Sequence, residues 1–210
     1  MSELHHLTDV RAVVFDVGET LVDETAQWTR AARTAGVTPF ALMGVLGALI
    51  ERGEDHRDAW RILGVDPPKR GEQIGADLYP DALPCLARLA DAGYRIGIAG
   101  NQPEVAEREL RDAGFEAELI ASSAAWGVAK PSTEFFTRVL RTLAVKPADV
   151  LYVGDRLDND ILPARALGMR TALLRRGPWG YLHARRPEAE HADAVVGSLD
   201  ELARGLTKET

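Results

Sequence analysis

Short apolar runs alternate along this chain with longer stretches in which hydrophobic residues recur every three or four positions. The first run, residues 11–16, places Ala12-Val13-Val14-Phe15 ahead of Asp16 and breaks at Gly18. It is too short for a helix, and its β-branched character predicts a buried strand that delivers Asp16 to its carboxyl end. From Asp23 to about Tyr79 the pattern turns helical. Phe40, Met43, Leu46 and Ile50 recur at helical spacing, Gly53 supplies a stop, and residues 57–63 read as a short helix before Gly64. Asp66-Pro67-Pro68-Lys69-Arg70-Gly71 reads as a loop. No strand pattern occurs between residues 23 and 79.

Beyond Pro80 strands and helices take turns. Leu83, Leu86 and Leu89 stripe a helix that ends at Gly93, and residues 94–99 form a strand ending in Gly100-Asn101. Pro103 sits at the expected first position of a helix over 103–113, which Gly114 closes. A short strand follows at 118–121, then a helix buried through Phe136, Val139, Leu140 and Leu143. The apolar strand 150–153 ends in Gly154-Asp155. A helix at 161–167, strands at 170–174 and 194–196, and a last helix through Leu199, Leu202 and Leu206 complete the chain. This alternation predicts an α/β fold: an open, doubly wound, parallel (Rossmann-like) sheet with a small all-helical cap inserted after the first strand. The expected division is a core of residues 1–22 and 80–210 and a cap of residues 23–79.

Composition narrows the function classes. Two hundred and ten residues, 46% of them hydrophobic, suffice for a core with an insertion. A net charge of -7 disfavours general binding to nucleic-acid phosphates. A single cysteine, Cys85, rules out an internal disulfide and agrees with a reducing cytoplasm; its place in a leucine-rich helix marks it as core. No apolar run is long enough to span a membrane, and residues 1–9 do not have the make-up of a secretory signal. His5-His6 is too short for a metal-binding tract.

Parallel strands put their polar ends on one sheet edge, where open α/β sheets bind ligands. Asp16, Gly100-Asn101 and the run from Gly154-Asp155 to Asp160 all fall there, with Lys130-Pro131 close by. Brought together, Asp16, Asp155 and Asp160 would raise one another's pKa unless a cation neutralised them. All-oxygen ligation of that kind suits Mg2+, which shares its shell with waters and a phosphate. In such a site Asp16 could attack phosphorus, Lys130 could pair with the carboxylate and phosphoryl oxygens, and the N–H groups of Gly100, Asn101 and Gln102 could face the phosphate.

Four segments in order resemble the motifs of the haloacid dehalogenase superfamily of hydrolases. Phe15-Asp16-Val17-Gly18-Glu19-Thr20-Leu21 is similar to the first, Ile98-Ala99-Gly100-Asn101 to the second, Ala129-Lys130-Pro131 to the third, and Gly154-Asp155-Arg156-Leu157-Asp158-Asn159-Asp160 to the acidic fourth. The resemblance covers residues 13–174 and implies a phosphatase-like hydrolase with a helical cap of the first class that selects a small phosphorylated substrate. It implies Asp16 as nucleophile, with Mg2+ held by Asp16, the main-chain carbonyl of Gly18 and Asp155, and with Asp160 behind them or acting through water. Thr20 would hold the nucleophile's surroundings by hydrogen bonds, Lys130 would balance charge, and Gly100, Asn101 and Lys130 would bind substrate.

Two departures from the family pattern stand out. The second aspartate of the first motif, the usual general acid and base, is Gly18 here, and the Ser or Thr of the second motif is Gly100. Glu19 is a neighbouring candidate for the missing acid. Loss of such a group typically costs about 10²–10⁴ in rate, so the resemblance leaves a slow phosphatase beside an inactive binding or regulatory protein. Carbon–halogen hydrolases also lack the second acid, but they work without metal and carry a less acidic fourth motif. Phosphonate cleavage would need a cap lysine, for which Lys69 is the one candidate. Substrate choice would lie in the cap, where Trp28, Arg30, Arg33, His56 and Arg57 are the polar candidates. The basic and aromatic stretch from Arg175 to Arg186 is expected to be a solvated loop, with Arg175 or Trp179 as possible edges of the pocket.

Overall fold

The expected alternation is present in the computed structural model, which describes residues 4–7, 9–68 and 77–207, His5 and His6 by main chain alone. After a short 3-10 turn at Leu4–Leu7 come β1 (Ala12–Phe15), then the helices α1 (Thr25–Thr34), α2 (Pro39–Arg52) and α3 (Asp58–Ile62). α4 (Ala82–Asp91), β2 (Arg95–Gly100), α5 (Val105–Asp112), β3 (Leu119–Ser122), α6 (Ser123–Trp126) and α7 (Thr133–Thr142) follow. The chain continues through β4 (Val150–Gly154), α8 (Leu162–Ala166), β5 (Arg170–Leu174), α9 (Gly177–His183), β6 (Ala194–Val196) and α10 (Leu199–Leu206).

Among the described residues the strands form one parallel sheet in the order β3-β2-β1-β4-β5-β6. The chain moves outward from β1 to β3 and then crosses back to β4 on the other side of β1. The carboxyl end of β1 is therefore the switch point where such sheets open a crevice. Phe15 is in register with Ile98 of β2 and Val153 of β4, and the Asp16 N–H donates to Val153 O at 2.9 Å.

Strand periodicity sorts the two faces. Val13 and Phe15 pack with Cys85, Leu86, Leu89, Leu199 and Leu202, while Ala12 and Val14 pack with Phe135, Phe136, Val139 and Leu143. With helices on both sides, every residue of β1 is buried, which is why the strand reads as an unbroken apolar run.

The helices between β1 and α4 are the inserted cap. α2 begins with Thr38 accepting the Ala41 N–H at 3.2 Å and with Pro39 inside the first turn; it ends at Gly53 in the left-handed region, φ 70°. The helical spacing is right, and of the four residues that carry it Leu46 and Ile50 are buried. Leu42, Leu46, Leu49 and Ile50 are buried, whereas Phe40 is 91% exposed. α2 meets two partners: Leu42 and Leu49 join Ala32 and Ala59 in a small cap core, while Leu46 and Ile50 pack against Trp179.

Trp179 belongs to the stretch expected to be a solvated loop, and that expectation is corrected. Residues 177–183 form α9, with Trp179 and His183 buried. Arg186 donates to Ile50 O and, at 3.2 Å, to Glu51 O, adding a cationic cap to the carbonyl end of α2. The acidic total charge argued against nucleic acid, but it carries no information about local burial. Arg175 is exposed and away from the cavity lining, so of the two proposed pocket edges only Trp179 is one. α5 starts at Val105, so Pro103 precedes the helix rather than opening it. Lys69 and part of the 66–71 loop lie outside the described residues. Among the described residues no single helix is long and apolar enough to cross a membrane.

Phe136 lies at 0% exposure with its ring 5.1 Å from that of Tyr152. Phe136→Ala should lower unfolding free energy in urea by about 3–5 kcal/mol. The same change at exposed Phe40 should stay within about 0.5 kcal/mol.

Candidate active site

After Phe15 the main chain turns so tightly that one carbonyl, Val17 O, accepts the N–H groups of Thr20, Leu21 and Val22 at 3.3, 2.8 and 3.0 Å. Glu19, at φ 51°, carries the left-handed residue of the turn. The result holds Asp16 at the base of a cavity of about 610 Å³ at the sheet edge. That volume suits a small metabolite.

Opposite Asp16 stands Lys130. Its main chain is clamped by Asn101, whose Nδ2 donates to Lys130 O at 2.9 Å and whose Oδ1 accepts the Lys130 N–H at 2.8 Å. The Lys130-Pro131 peptide is cis. The Lys130 side chain is fully buried, with Nζ 2.6 Å from Asp16 Oδ1 and 2.6 Å from Asp160 Oδ1. Its ammonium also sits 5.6 Å from the ring centre of Tyr152, whose hydroxyl donates to Ala99 O at 2.7 Å.

The acidic loop after β4 folds as a single π-type turn, Leu157–Ile161. Such turns are rare and occur often at functional sites. Asp160 Oδ2 accepts the Arg156 N–H at 3.0 Å, and the Leu157 N–H is accepted by His183 Nδ1 at 3.0 Å. Gly154 is required here: a Cβ at that position would lie 2.5 Å from Asp160 Cγ. Gly100 makes a similar close approach, since a Cβ there would stand 2.7 Å from Asp16 Oδ1.

Asp16, Asp155 and Asp160 are all buried, with ligand oxygens within 4.8 Å of one another. Their charges act on each other strongly. Burial, reinforced by Asp160 and Asp16, pushes Asp155 well above the usual carboxylate range. Burial also raises Asp160 to about 6, with the Lys130 ammonium pulling the other way. For Lys130 burial alone would favour the neutral amine, but the facing Asp16 and Asp160 outweigh it and hold the ammonium well above its ordinary range. One lysine against three carboxylates leaves the cluster short of positive charge. Its all-oxygen donor set is capable of holding a divalent cation.

The other expected site residues fall out differently. Gly18 lines the cavity. Thr20 does not make the expected hydrogen bonds: its hydroxyl is buried and has no partner among the described residues. The turn is held by main-chain bonds instead, and Thr20 O accepts from Arg176 at 2.9 Å. Asn101 lines the cavity, yet its side chain is spent on Lys130. The Gln102 N–H donates to Gly100 O at 3.0 Å, so it is not offered to a ligand. Glu19 is tied down, with Oε2 accepting from the Tyr79 hydroxyl at 2.6 Å and Oε1 from the Glu24 N–H at 3.1 Å. Burial raises its pKa, and the Tyr79 bond opposes the rise.

From the cap, Trp28, His56 and Arg57 reach the cavity, whereas Arg30 and Arg33 do not line it. Three lining residues went unrecognised as candidate chemistry in the sequence or were given only an edge role: Glu24, Arg156 and Trp179. The Arg156 guanidinium lies 4.7 Å from the Trp179 ring centre, and His56 meets the same ring edge-on at 5.3 Å. A basic residue followed shortly by the acid run, and a tryptophan two residues after Gly177, were the available signals.

Comparison with known proteins matches residues 10–168 to the haloacid dehalogenase-like hydrolase family. A glyceraldehyde 3-phosphate phosphatase of Methanopyrus kandleri is 28% identical over 85% of this chain and 90% of its own length. One of Pyrococcus furiosus is 36% identical over 62% of this chain and 55% of its own length. A solved L-2-haloacid dehalogenase superposes with a TM-score of 0.73 at 21% identity, covering 95% of this chain and 100% of that one, which is a likeness of fold.

His183 gives the acidic loop a pH dependence. Burial lowers its pKa from 6.5 to about 4. Below pH 6.5 the unfolded chain takes up a proton that the folded chain refuses, so the stabilisation is whole above 6.5 and is lost as pH falls through about 4. Thermal melts from neutral pH down to about pH 4 should therefore show a shallower decline in His183→Gln than in the parent protein.

Proposed function

The chain belongs to the haloacid dehalogenase-like hydrolases, and from that membership we propose a Mg2+-dependent phosphatase that works through an aspartyl-phosphate on Asp16. The observation that carries this reading is the buried trio of Asp16, Asp155 and Asp160 with the Lys130 ammonium wedged 2.6 Å from the Asp16 carboxylate. The substrate is a small phosphate monoester. The cavity volume supports it, as do the phosphatase names of the relatives.

In this reading residues 1–22 and 80–210 are the core and residues 23–79 the cap that selects substrate. Asp16, Asp155 and the Gly18 carbonyl would hold Mg2+. Asp160 acts through water, in keeping with both of its oxygens already having protein partners. Bound there, Mg2+ would offset the repulsion between an anionic nucleophile and an anionic ester. Asp16 then attacks phosphorus, and Lys130 balances charge on the attacking carboxylate and the phosphoryl oxygens. Asn101 keeps Lys130 in place rather than touching phosphate. The single cysteine, Cys85, fits a cytoplasmic enzyme.

Two rivals are weaker. A carbon–halogen hydrolase shares the fold, but it would have no use for the surplus negative charge around Asp155. A catalytically silent binding protein would account for Gly18 and Gly100, but not for a lysine buried at bonding distance from Asp16.

The purified protein with Mg2+ should release phosphate from p-nitrophenyl phosphate and from a panel that includes glyceraldehyde 3-phosphate and phosphoglycolate. Asp16→Asn should abolish release, and chelation by EDTA should do the same reversibly. Equal phosphate release by the parent and Asp16→Asn would remove Asp16 from the chemistry.

A further inference from the structure

Splitting a phosphate ester through Asp16 needs a proton for the departing oxygen and, in the second half, a base for the attacking water. The carboxylates at the base of the cavity are engaged otherwise. Asp16 and Asp160 share Lys130, and Glu19 is held by Tyr79 and packed over Gly177, where a Cβ would lie 2.6 Å from Glu19 Cγ.

Gly18 identifies a different group. A Cβ at position 18 would overlap Glu24 Oε1 and lie 2.9 Å from Glu24 Cδ. The carboxylate of Glu24 therefore stands in the space that a side chain at position 18 would enter, two residues beyond Asp16. Its position is fixed on both sides. The Glu24 N–H donates to Glu19 Oε1 at 3.1 Å, and Glu24 Oε2 accepts the Trp28 indole N–H at 3.1 Å. Glu24, Gly18 and Asp16 all line the same cavity.

Resting on the phosphatase reading above, we propose that Glu24 is the proton-transfer residue of this site, supplied from the start of the cap in place of a side chain at position 18. As Asp16 Oδ bonds to phosphorus and the ester P–O bond breaks, the Glu24 carboxyl gives its proton to the departing oxygen. The Glu24 carboxylate then takes a proton from water, whose oxygen bonds to phosphorus as the Asp16–phosphorus bond breaks. Phosphate leaves, and Glu24 is again protonated.

The test compares Glu24→Gln with the parent protein on p-nitrophenyl phosphate. Nitrophenolate leaves without a proton, so the first half-reaction should survive while the second stalls. Stopped-flow absorbance should show one rapid burst of nitrophenolate per protein, followed by a steady rate about 10²–10⁴-fold below the parent. Intact mass should find a phosphoryl group retained on Asp16. Gln keeps an oxygen for the Trp28 N–H, and unchanged melting would confirm that the cap is intact. A second variant restores the side chain at position 18: Gly18→Asp combined with Glu24→Ala should be faster than Glu24→Ala alone. Phe40→Ala, at an exposed position of α2, should give no burst.

Turnover by Glu24→Gln equal to the parent's would overturn the proposal, as would slow turnover with no burst, which marks a structural role, or the same burst in Phe40→Ala. If the parent shows no Asp16-dependent hydrolysis, it is the phosphatase reading that fails. An active, Asp16-dependent parent with an unaffected Glu24→Gln defeats the Glu24 proposal alone.

Discussion

The ammonium of Lys130, fully buried and 2.6 Å from both Asp16 and Asp160, is the contact on which the site depends. Removing charges from water is costly, and a buried pair persists only when its geometry and its remaining hydrogen bonds are good. The surroundings supply them. Asn101 fixes the lysine's main chain with two hydrogen bonds, Tyr152 lies beneath the ammonium, and Asp160 gives its other oxygen to the Arg156 N–H. Asn101, Arg156 and Asp160 come from loops that follow strands, and Tyr152 from within β4. The parallel order of the sheet is therefore what brings an acid from β1, an amide from beyond β2 and an acid loop from beyond β4 to one lysine.

Charge balance then points outward. One cation among three carboxylates leaves Asp155 pushed up by burial and by its acidic neighbours, a strain that a divalent cation relieves. Two arginines line the cavity, each already paired with an acid, Arg57 with Asp55 and Arg156 with Asp158. Arg57 comes from the cap and Arg156 from the core, with His56 and Trp179 between them. The cap is not a loose appendage in this arrangement. Leu46 and Ile50 pack on Trp179, and Arg186 caps the end of α2, so core and cap meet through α9.

Much of this was legible in the residues. Strands ending in Asp16, Gly100-Asn101 and Gly154-Asp155 announced themselves because buried parallel strands are apolar throughout and stop abruptly at polar turns. The spacing of α2 marked a helix but not its buried face, because a helix packed on two partners does not carry a single stripe. α9 was hidden by the arginines that flank it, of which Arg176 and Arg186 turn their guanidinium groups inward onto Thr20 O, Asp81 and the end of α2. The hydroxyl of Thr20 and the amide of Asn101 illustrate a different limit. Residue type identifies what a group can bond, but the turn geometry decides what it does bond. Glu24 reads in sequence as an ordinary acid before a helix, and only the placement of its carboxylate in the space beside Gly18 gives it another meaning.

The most direct test of the account is a crystal structure of the protein grown with Mg2+ and beryllium fluoride, a mimic of the phosphoryl group on a carboxylate. The account predicts BeF3⁻ bonded to Asp16, with Lys130 on one of its fluorines and the metal against Asp155. Beryllium fluoride bonded elsewhere, or absent with Mg2+ lying outside the Asp16, Asp155 and Asp160 cluster, would contradict it.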